Sequence, residues 1–167
     1  MSGVTAQLLV LDGKSMEIEF GVRGRRHLLL APEGEPARTD GLWQTTCFEA
    51  FIRPIKSEAY LELNFSPSFA WAAYSFDRYR EGMRPLPMRV DPEIAVTDPA
   101  TEHDYFHLSA EFEPPSLPAP LSLGLSAVIE EKDGTKSYWA LRHPPGDRPD
   151  FHHPDCFALE LPPASDT

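Results

Sequence analysis

Residues 42–76 carry the alternating pattern that decides the fold, and they read LWQTTCFEAFIRPIKSEAYLELNFSPSFAWAAYSF. Three runs within them, 45–53, 59–65 and 70–76, alternate side chains with the period of two that is typical of β-strands. One face of these runs is apolar and should lie in a core, and it comprises Phe48, Ile52, Leu61, Leu63 and Phe65. The other face mixes aromatic, carboxylate and amide groups, and it comprises Trp43, Glu49, Tyr60, Glu62 and Asn64.

The same alternation continues outward from this stretch in both directions. Proline clusters and Asp-Gly dipeptides separate the runs, as expected for strands joined by turns. The candidate strands are 6–11, 16–22, 26–31, 45–53, 59–65, 70–76, 93–97, 104–112, 121–129, 136–141 and 156–161. Because the sequence has no convincing amphipathic helix and no βα alternation, it predicts an antiparallel β-sandwich of about ten or eleven strands, of the jelly-roll or immunoglobulin-like kind.

Length and charge limit the possible functions. The 167 residues predict a single domain over residues 1–161, followed by a disordered tail at 162–167. With 15 Lys and Arg against 26 Asp and Glu, the formal charge of −11 argues against nucleic acid and anionic membranes as partners. No secretory signal or apolar membrane span is visible, so we expect a cytoplasmic protein. Cys47 and Cys156 are then expected to be reduced thiols, with a disulfide between them as the alternative.

The polar face of the central strands is the best candidate for a ligand site. Tyr60, Glu62 and Asn64 alternate along one strand and offer hydrogen-bond donors and acceptors in a row. Glu49 lies on a half-apolar face and needs a partner if it is covered. Trp43 and Trp71 flank loops, where an indole ring can stack on a sugar or cover a cation. The alternatives are an exposed face with ordinary cross-strand pairs, a structural ion pair at Glu49, and core packing of the tryptophans.

A second candidate cluster precedes the last strand, where residues 150–155 read DFHHPD. Adjacent histidines on an extended chain point apart and rarely share a metal, so we expect no metal and no other cofactor. The recognised motifs of hydrolases, nucleotide-binding enzymes and zinc enzymes are missing, and no catalytic residue is assigned. Glu49 and Glu62 could still serve as the paired carboxylates of a glycoside hydrolase.

The pattern LWQTTCFEAFI…YLELNFSPSFAWAAYSF, together with the late PDFHHPDCFALEL, resembles the bacterial DOMON-like proteins, which are related to the family 9 carbohydrate-binding modules. The resemblance implies a β-sandwich of about ten strands that binds either a sugar or haem. It implies ligand contacts for Trp43, Glu49 and Glu62 or Asn64, with Phe151 or His152 at the position of a second aromatic residue.

The chain departs from this family pattern at two points. Thr45-Thr46 stands where the sugar-binding modules usually have an acidic pair, and a late tryptophan is missing. Trp43 and Glu49 can share a ligand only if the chain folds back near residues 44–46. The haem-binding branch would use a methionine, Met83 or Met88, with a histidine, His152 or His153.

We therefore predict a non-catalytic domain that binds a small carbohydrate or polyol. The predicted ligand-binding residues are Trp43, Glu49, Tyr60, Glu62, Asn64, Trp71, Phe151 and His152. The alternatives are a glycoside hydrolase that uses Glu49 and Glu62, a haem-binding DOMON domain, and an interaction domain with no small ligand. The oligomeric state is left open.

Overall fold

The computed structural model describes residues 3–97 and 104–163, and eleven strands form within these ranges. They are β1 Gly3–Val10, β2 Met16–Arg23, β3 Cys47–Pro54, β4 Tyr60–Phe65, β5 Trp71–Phe76, β6 Arg84–Pro85, β7 Glu93–Thr97, β8 Tyr105–Phe112, β9 Leu121–Glu130, β10 Lys136–Ala140 and β11 Leu159–Leu161. All pairs are antiparallel, in two sheets packed face to face, which confirms the predicted β-sandwich. Residues 164–167 of the predicted tail lie outside the described residues.

The two sheets differ in size and in how they are covered. The smaller sheet has the order β1-β2-β8-β7, and the larger has the order β10-β9-β3-β4-β5-β6. The short strands β10 and β11 share one edge of β9, because β10 pairs with residues 126–130 and β11 with residues 121–123. Two long strands, β3 and β9, therefore lie in the interior of the larger sheet, next to β4.

The main core lies between the inner faces of the two sheets. The ring of Phe48 lies 4.9 Å from that of Phe20 and 5.9 Å from that of Phe106, which joins β3 to both central strands of the smaller sheet. Each large apolar side chain buried in this way contributes about 1.5–3 kcal/mol to folding. The predicted core face is confirmed, since all five of its residues are buried in this cluster: Phe48, Ile52, Leu61, Leu63 and Phe65.

Two predicted strands differ from the observed elements. Residues 26–31 do not form a strand, because Arg25–His27 form a 3-10 turn and the backbone N–H of Arg26 donates to Asp104 Oδ1 at 2.9 Å. The predicted strand 156–161 begins only at residue 159, because Pro154–Cys156 also form a 3-10 turn. In both places local hydrogen bonds of the turn use backbone groups that a strand would pair with a neighbour.

The outer face of the larger sheet is buried as well. Residues 149–157 lie across it, and the Phe157 ring packs edge-on against Phe51 at 6.2 Å and Tyr60 at 5.7 Å. A second apolar cluster forms there from Phe51, Tyr60, Ala72, Tyr74, Phe76, Val128, Phe151 and Phe157. Four residues of the predicted polar face are consequently buried, namely Glu49, Tyr60, Glu62 and Asn64, whereas Trp43 stays exposed. Cys47 and Cys156 are buried as free thiols.

Gly124 on β9 allows the closing segment 149–157 to approach the sheet. A Cβ atom at this position would lie only 2.8 Å from the backbone carbonyl oxygen of Cys156. Such a contact is too short for any side chain, so either the sheet or the segment would have to move. The absence of a side chain at position 124 thus sets the distance between the segment and the sheet.

We expect Gly124→Val to destabilise the domain, because the added side chain collides with the backbone of the closing segment. Overpacking of this kind costs about 1–3 kcal/mol, which corresponds to a fall in melting temperature on the order of 2–12 °C. Thermal unfolding followed by circular dichroism measures the effect. The control is Gly34→Val, where a Cβ atom would meet only the Ser68 carbonyl oxygen, at 3.8 Å. Equal melting temperatures for the two variants would contradict the close packing at Gly124.

Candidate functional site

A cavity of about 770 Å³ opens on the outer face of the larger sheet. Its floor is formed by β3, β4 and β9, and its walls by β10 and by the loops around residues 43, 80 and 150. The lining residues are Trp43, Gln44, Glu49, Glu62, Phe76, Arg80, Met83, Val128, Lys136, Tyr138, Pro149, Phe151 and His152. Residues from separate parts of the sequence therefore converge on one concave surface.

Two glutamates form the acidic floor of this cavity. Glu49 on β3 is opposite Asn64 on β4, and Glu62 precedes Asn64 by two residues, so both carboxyl groups lie on the same face of neighbouring strands. Their exposed fractions are only 3% and 5%. Ser126 Oγ donates to Glu49 Oε2 at 3.1 Å, and Asn64 Nδ2 donates to Glu62 Oε1 at 3.0 Å. Each carboxyl group is thus held by a neutral donor.

Burial makes these carboxyl groups weak acids. Desolvation, with the nearby charge of Glu62, raises the pKa of Glu49 to about 8. Desolvation also raises the pKa of Glu62 to about 6, although the hydrogen bond from Asn64 and the charge of Arg80 offset part of the effect. At neutral pH the pair therefore holds about one proton.

His152 approaches the floor from the closing segment. Its Nδ1 lies 2.7 Å from the Tyr60 hydroxyl oxygen, which also accepts the backbone N–H of Arg80 at 3.1 Å. Burial, with the positive charge of Arg80, lowers the pKa of His152 to about 4, so the ring is neutral at pH 7. We assign the hydroxyl as the donor to Nδ1, which places the imidazole proton on Nε2, 3.7 Å from Glu62 Oε2.

Asp150 ties the closing segment to the loop that follows β5. Its carboxylate accepts hydrogen bonds from the Tyr79 hydroxyl and from Arg80 Nη2, the latter at 2.8 Å. Burial acts to raise the pKa of Asp150, but these two donors outweigh it and hold the pKa below its ordinary value. The ionised carboxylate therefore clamps the two loops together at the cavity mouth.

Trp43 reaches the cavity because the chain reverses just before β3. Gly41 adopts φ 76°, a left-handed conformation that favours glycine, and begins the 3-10 turn Leu42–Gln44. Trp43 remains 54% exposed and lines the same cavity as Glu49. The chain thus folds back within residues 42–44, as it must if Trp43 and Glu49 are to contact the same ligand.

Thr46, the second residue of the threonine pair at 45–46, has a structural role. Thr46 is fully buried, and its hydroxyl donates to the Leu29 carbonyl at 2.7 Å and accepts the Glu130 backbone N–H at 3.1 Å. These bonds connect β3 to the end of β9 and to the chain after the first 3-10 turn. Thr46 therefore takes no part in the cavity.

The structure brings five of the eight predicted ligand-binding residues to the cavity wall: Trp43, Glu49, Glu62, Phe151 and His152. Tyr60 and Asn64 lie just behind this wall and hydrogen-bond to His152 and Glu62.

Trp71 lies away from the cavity. It is the first residue of β5, it packs in the main core between the sheets, and Arg38 covers its ring at 4.4 Å. Because its side chain points to the opposite face of the sheet, Trp71 cannot contact a ligand in the cavity.

The cavity residues that were not predicted to bind ligand include Arg80, Lys136 and Tyr138. Tyr138 could have been found, because it alternates with Trp139, whose side chain packs against the main core. Arg80 and Lys136 come from a loop and from a short strand at the sheet edge. Their positions depend on contacts with distant residues, which a single sequence does not show.

The histidines and methionines of the haem alternative are spread over different environments. Met83 and His152 both line the cavity, while Met88 packs against the main core. His153 Nδ1 accepts the backbone N–H of Asp155 and begins the last 3-10 turn. Within residues 3–97 and 104–163, no cluster of three or more His, Cys, Asp or Glu could hold a metal ion. No helix in these ranges is long and apolar enough to cross a membrane.

Comparisons with known proteins support the fold. No protein-family model and no curated protein matches the chain. A solved structure from Bacteroides uniformis ATCC 8492, described as that of a candidate carbohydrate-binding protein, is similar with a TM-score of 0.63. The match covers 92% of this chain and 75% of that chain at 13% sequence identity. At this identity the likeness shows a shared β-sandwich fold.

Proposed function

We propose that this domain binds a small carbohydrate or polyol in the cavity and has no catalysis of its own. The observation that carries the proposal is the meeting of the exposed Trp43 ring with the buried carboxyl groups of Glu49 and Glu62 in one cavity. Its volume of about 770 Å³ lies within the range of small-molecule pockets. The description of the similar structure as carbohydrate-binding agrees with this proposal.

Aromatic rings would contact the apolar face of the sugar. Trp43 is 54% and Tyr138 44% exposed, and both rings line the cavity. Rings of this size can cover the C–H groups of a pyranose while their polar atoms stay hydrated. The exposure of two large rings at one cavity is thus consistent with a stacking role.

The floor would bind the sugar hydroxyl groups. An ionised carboxylate accepts hydrogen bonds, whereas a protonated carboxyl both donates and accepts, and the glutamate pair offers both when it shares one proton. A sugar hydroxyl also donates and accepts, so it can bridge such a pair. The buried position of both groups strengthens these hydrogen bonds.

The family, the domain organisation and the cellular location expected from the sequence belong to the same proposal. The resemblance to DOMON-like proteins and family 9 carbohydrate-binding modules predicts ligand contacts at Trp43, Glu49 and Glu62 or Asn64, and of these Trp43, Glu49 and Glu62 line the cavity. We retain that family, the single-domain organisation and the cytoplasmic location as hypotheses.

Glycoside hydrolysis is less compatible with the arrangement of the two carboxyl groups. A glycosidase places its acid and its nucleophile or base on either side of the scissile bond. Glu49 and Glu62 project from the same sheet face and would approach a ligand from one side. We expect no turnover of aryl glycosides; hydrolysis that Glu49→Gln abolishes would instead establish the enzyme alternative. A Soret band after haem addition would establish the haem alternative.

We expect Trp43→Ala to weaken sugar binding by about five- to thirtyfold, because it removes a stacking ring that contributes on the order of 1–2 kcal/mol. Isothermal titration calorimetry with a panel of monosaccharides and disaccharides measures the effect without relying on tryptophan fluorescence. Tyr105→Ala is the control, since Tyr105 lies on β8 of the other sheet. If no sugar in the panel binds to the unmodified protein, the proposal is wrong.

The stability of the domain should fall as the pH rises from 6.5 to 8. The pKa of Glu49 is about 8 in the folded protein against an ordinary value of 4.5, so unfolding releases its proton and high pH favours the unfolded chain. Glu62, with a folded pKa of about 6, changes the stability mainly below pH 6.5. His152, whose pKa falls from 6.5 to about 4, has the opposite effect, also below it.

The fall should be at most about 1.4 kcal/mol per pH unit, the limit for one proton. Glu49→Gln should flatten this dependence, and Glu93→Gln, an exposed site on β7 of the smaller sheet, should not. Urea unfolding at pH 6.5, 7.2 and 8 measures the free energies. An unchanged slope in Glu49→Gln would show that Glu49 is not the proton-binding group.

A further inference from the structure

We propose that the sugar bound by this domain carries a protonated amino group, which the carboxyl groups of Glu49 and Glu62 bind at the cavity floor. This inference rests on the proposed carbohydrate function and narrows the ligand to amino sugars. It follows from three features of the floor: its charge, its excess of hydrogen-bond acceptors, and the engagement of the neighbouring cations elsewhere.

The first feature is a negative charge without an ion-pair partner. Within the described ranges of the chain, no lysine or arginine lies within ion-pair distance of Glu49 or Glu62. The basic group that approaches the floor is His152 Nε2, which lies 3.7 Å from Glu62 Oε2, and its ring is neutral. Buried carboxylates are normally paired with a cation, because an unpaired one is costly to remove from water. A cationic ligand would supply the partner.

The second feature is independent of the carboxyl groups. Asn64 is fully buried on the cavity-facing side of β4, and its Oδ1 atom has no hydrogen-bond partner in the structure. Its amide nitrogen is already used, since it donates to Glu62. An unpartnered amide oxygen thus lies just behind the carboxyl oxygens of the floor, which share about one proton at neutral pH, so acceptors outnumber donors. An ammonium group has three N–H donors and no acceptor, which matches this set.

The third feature is that the cations at the cavity mouth are engaged elsewhere. Arg80 Nη2 donates to Asp150 Oδ1 at 2.8 Å, and its side chain is 51% exposed. Lys136 Nζ donates to the Gln44 carbonyl at 2.6 Å and lies 4.0 Å from Glu130 Oε2. Neither cation therefore forms an ion pair with the floor, although the charge of Arg80 partly stabilises the Glu62 carboxylate. The rings of Trp43 and Tyr138, on the same cavity, would add a favourable cation–π contribution.

A neutral sugar would satisfy this floor only in part. Its hydroxyl groups can donate hydrogen bonds but bring no charge, so Glu49 would have to keep its proton. An ammonium group compensates the carboxylates directly and displaces that proton, because a nearby positive charge favours the ionised form. The net charge of −11 also draws cations toward the protein.

The experiment compares three forms of each hexose by isothermal titration calorimetry at pH 6.5, where the amino group is charged. The forms are the neutral sugar, the 2-amino sugar and the 2-acetamido sugar, in the gluco, galacto and manno series. We expect one 2-amino sugar to bind at least about tenfold more tightly than its neutral and acetylated counterparts, as a charge-assisted hydrogen bond predicts.

The double variant Glu49→Gln, Glu62→Gln tests whether these carboxyl groups are responsible. The ratio of amino-sugar to neutral-sugar affinity should fall to about one, because glutamine keeps the shape but lacks the charge. Glu93→Gln, on the other sheet, removes one carboxylate from the surface and should keep the ratio of the unmodified protein. Melting temperatures of both variants verify that they are folded.

The possible outcomes separate this inference from the proposed function. Equal affinities for neutral and amino sugars would overturn the amino-sugar assignment and leave carbohydrate binding intact. Binding of no sugar of any form would overturn both. An amino-sugar preference that persists in the folded double variant would show that the cation is bound elsewhere than at Glu49 and Glu62.

Discussion

The burial of the larger sheet on both faces is the constraint on which the rest of the structure depends. In many antiparallel sheets one face meets a core and the other meets water. Here the closing segment 149–157 packs Phe157 and His152 against Phe51 and Tyr60 on the outer face. The polar residues of β3 and β4 are thereby enclosed. The raised pKa values of Glu49 and Glu62 and the lowered pKa of His152 all follow from this enclosure.

The enclosure depends on a few local interactions at the ends of the closing segment. Asp150 binds Tyr79 and Arg80 across the loop after β5, and Gly124 lets the backbone at Cys156 approach β9. Neither interaction is part of the main core, so the sandwich and the cavity are stabilised by different contacts. Weakening the segment would expose the floor to water and return its carboxyl groups toward ordinary acidity.

The charge of the cavity floor is the feature that narrows the proposed ligand. Ser126 and Asn64, which are neutral, hold the two glutamates, and the cations at the mouth bind Asp150 and Gln44 instead. A domain under no pressure to keep these groups could replace them with apolar residues at little cost. Their presence beside two exposed aromatic rings is the reason for proposing a polar, positively charged ligand. The solved structure that shares the fold is only 13% identical to this chain. The likeness therefore does not explain these side chains.

The sequence by itself determined the β-sandwich and the division of the central strands into two faces, because the period of two is a local property of an extended chain. It therefore identified Phe48 and Leu63 as core residues, and placed Glu49 with Glu62 on the opposite face. Only the tertiary structure decided that this opposite face is covered, that Trp71 packs in the core, and that Tyr138 and Arg80 border the cavity. These outcomes depend on contacts between residues far apart in the sequence, such as Tyr60 with His152, which strand periodicity does not encode.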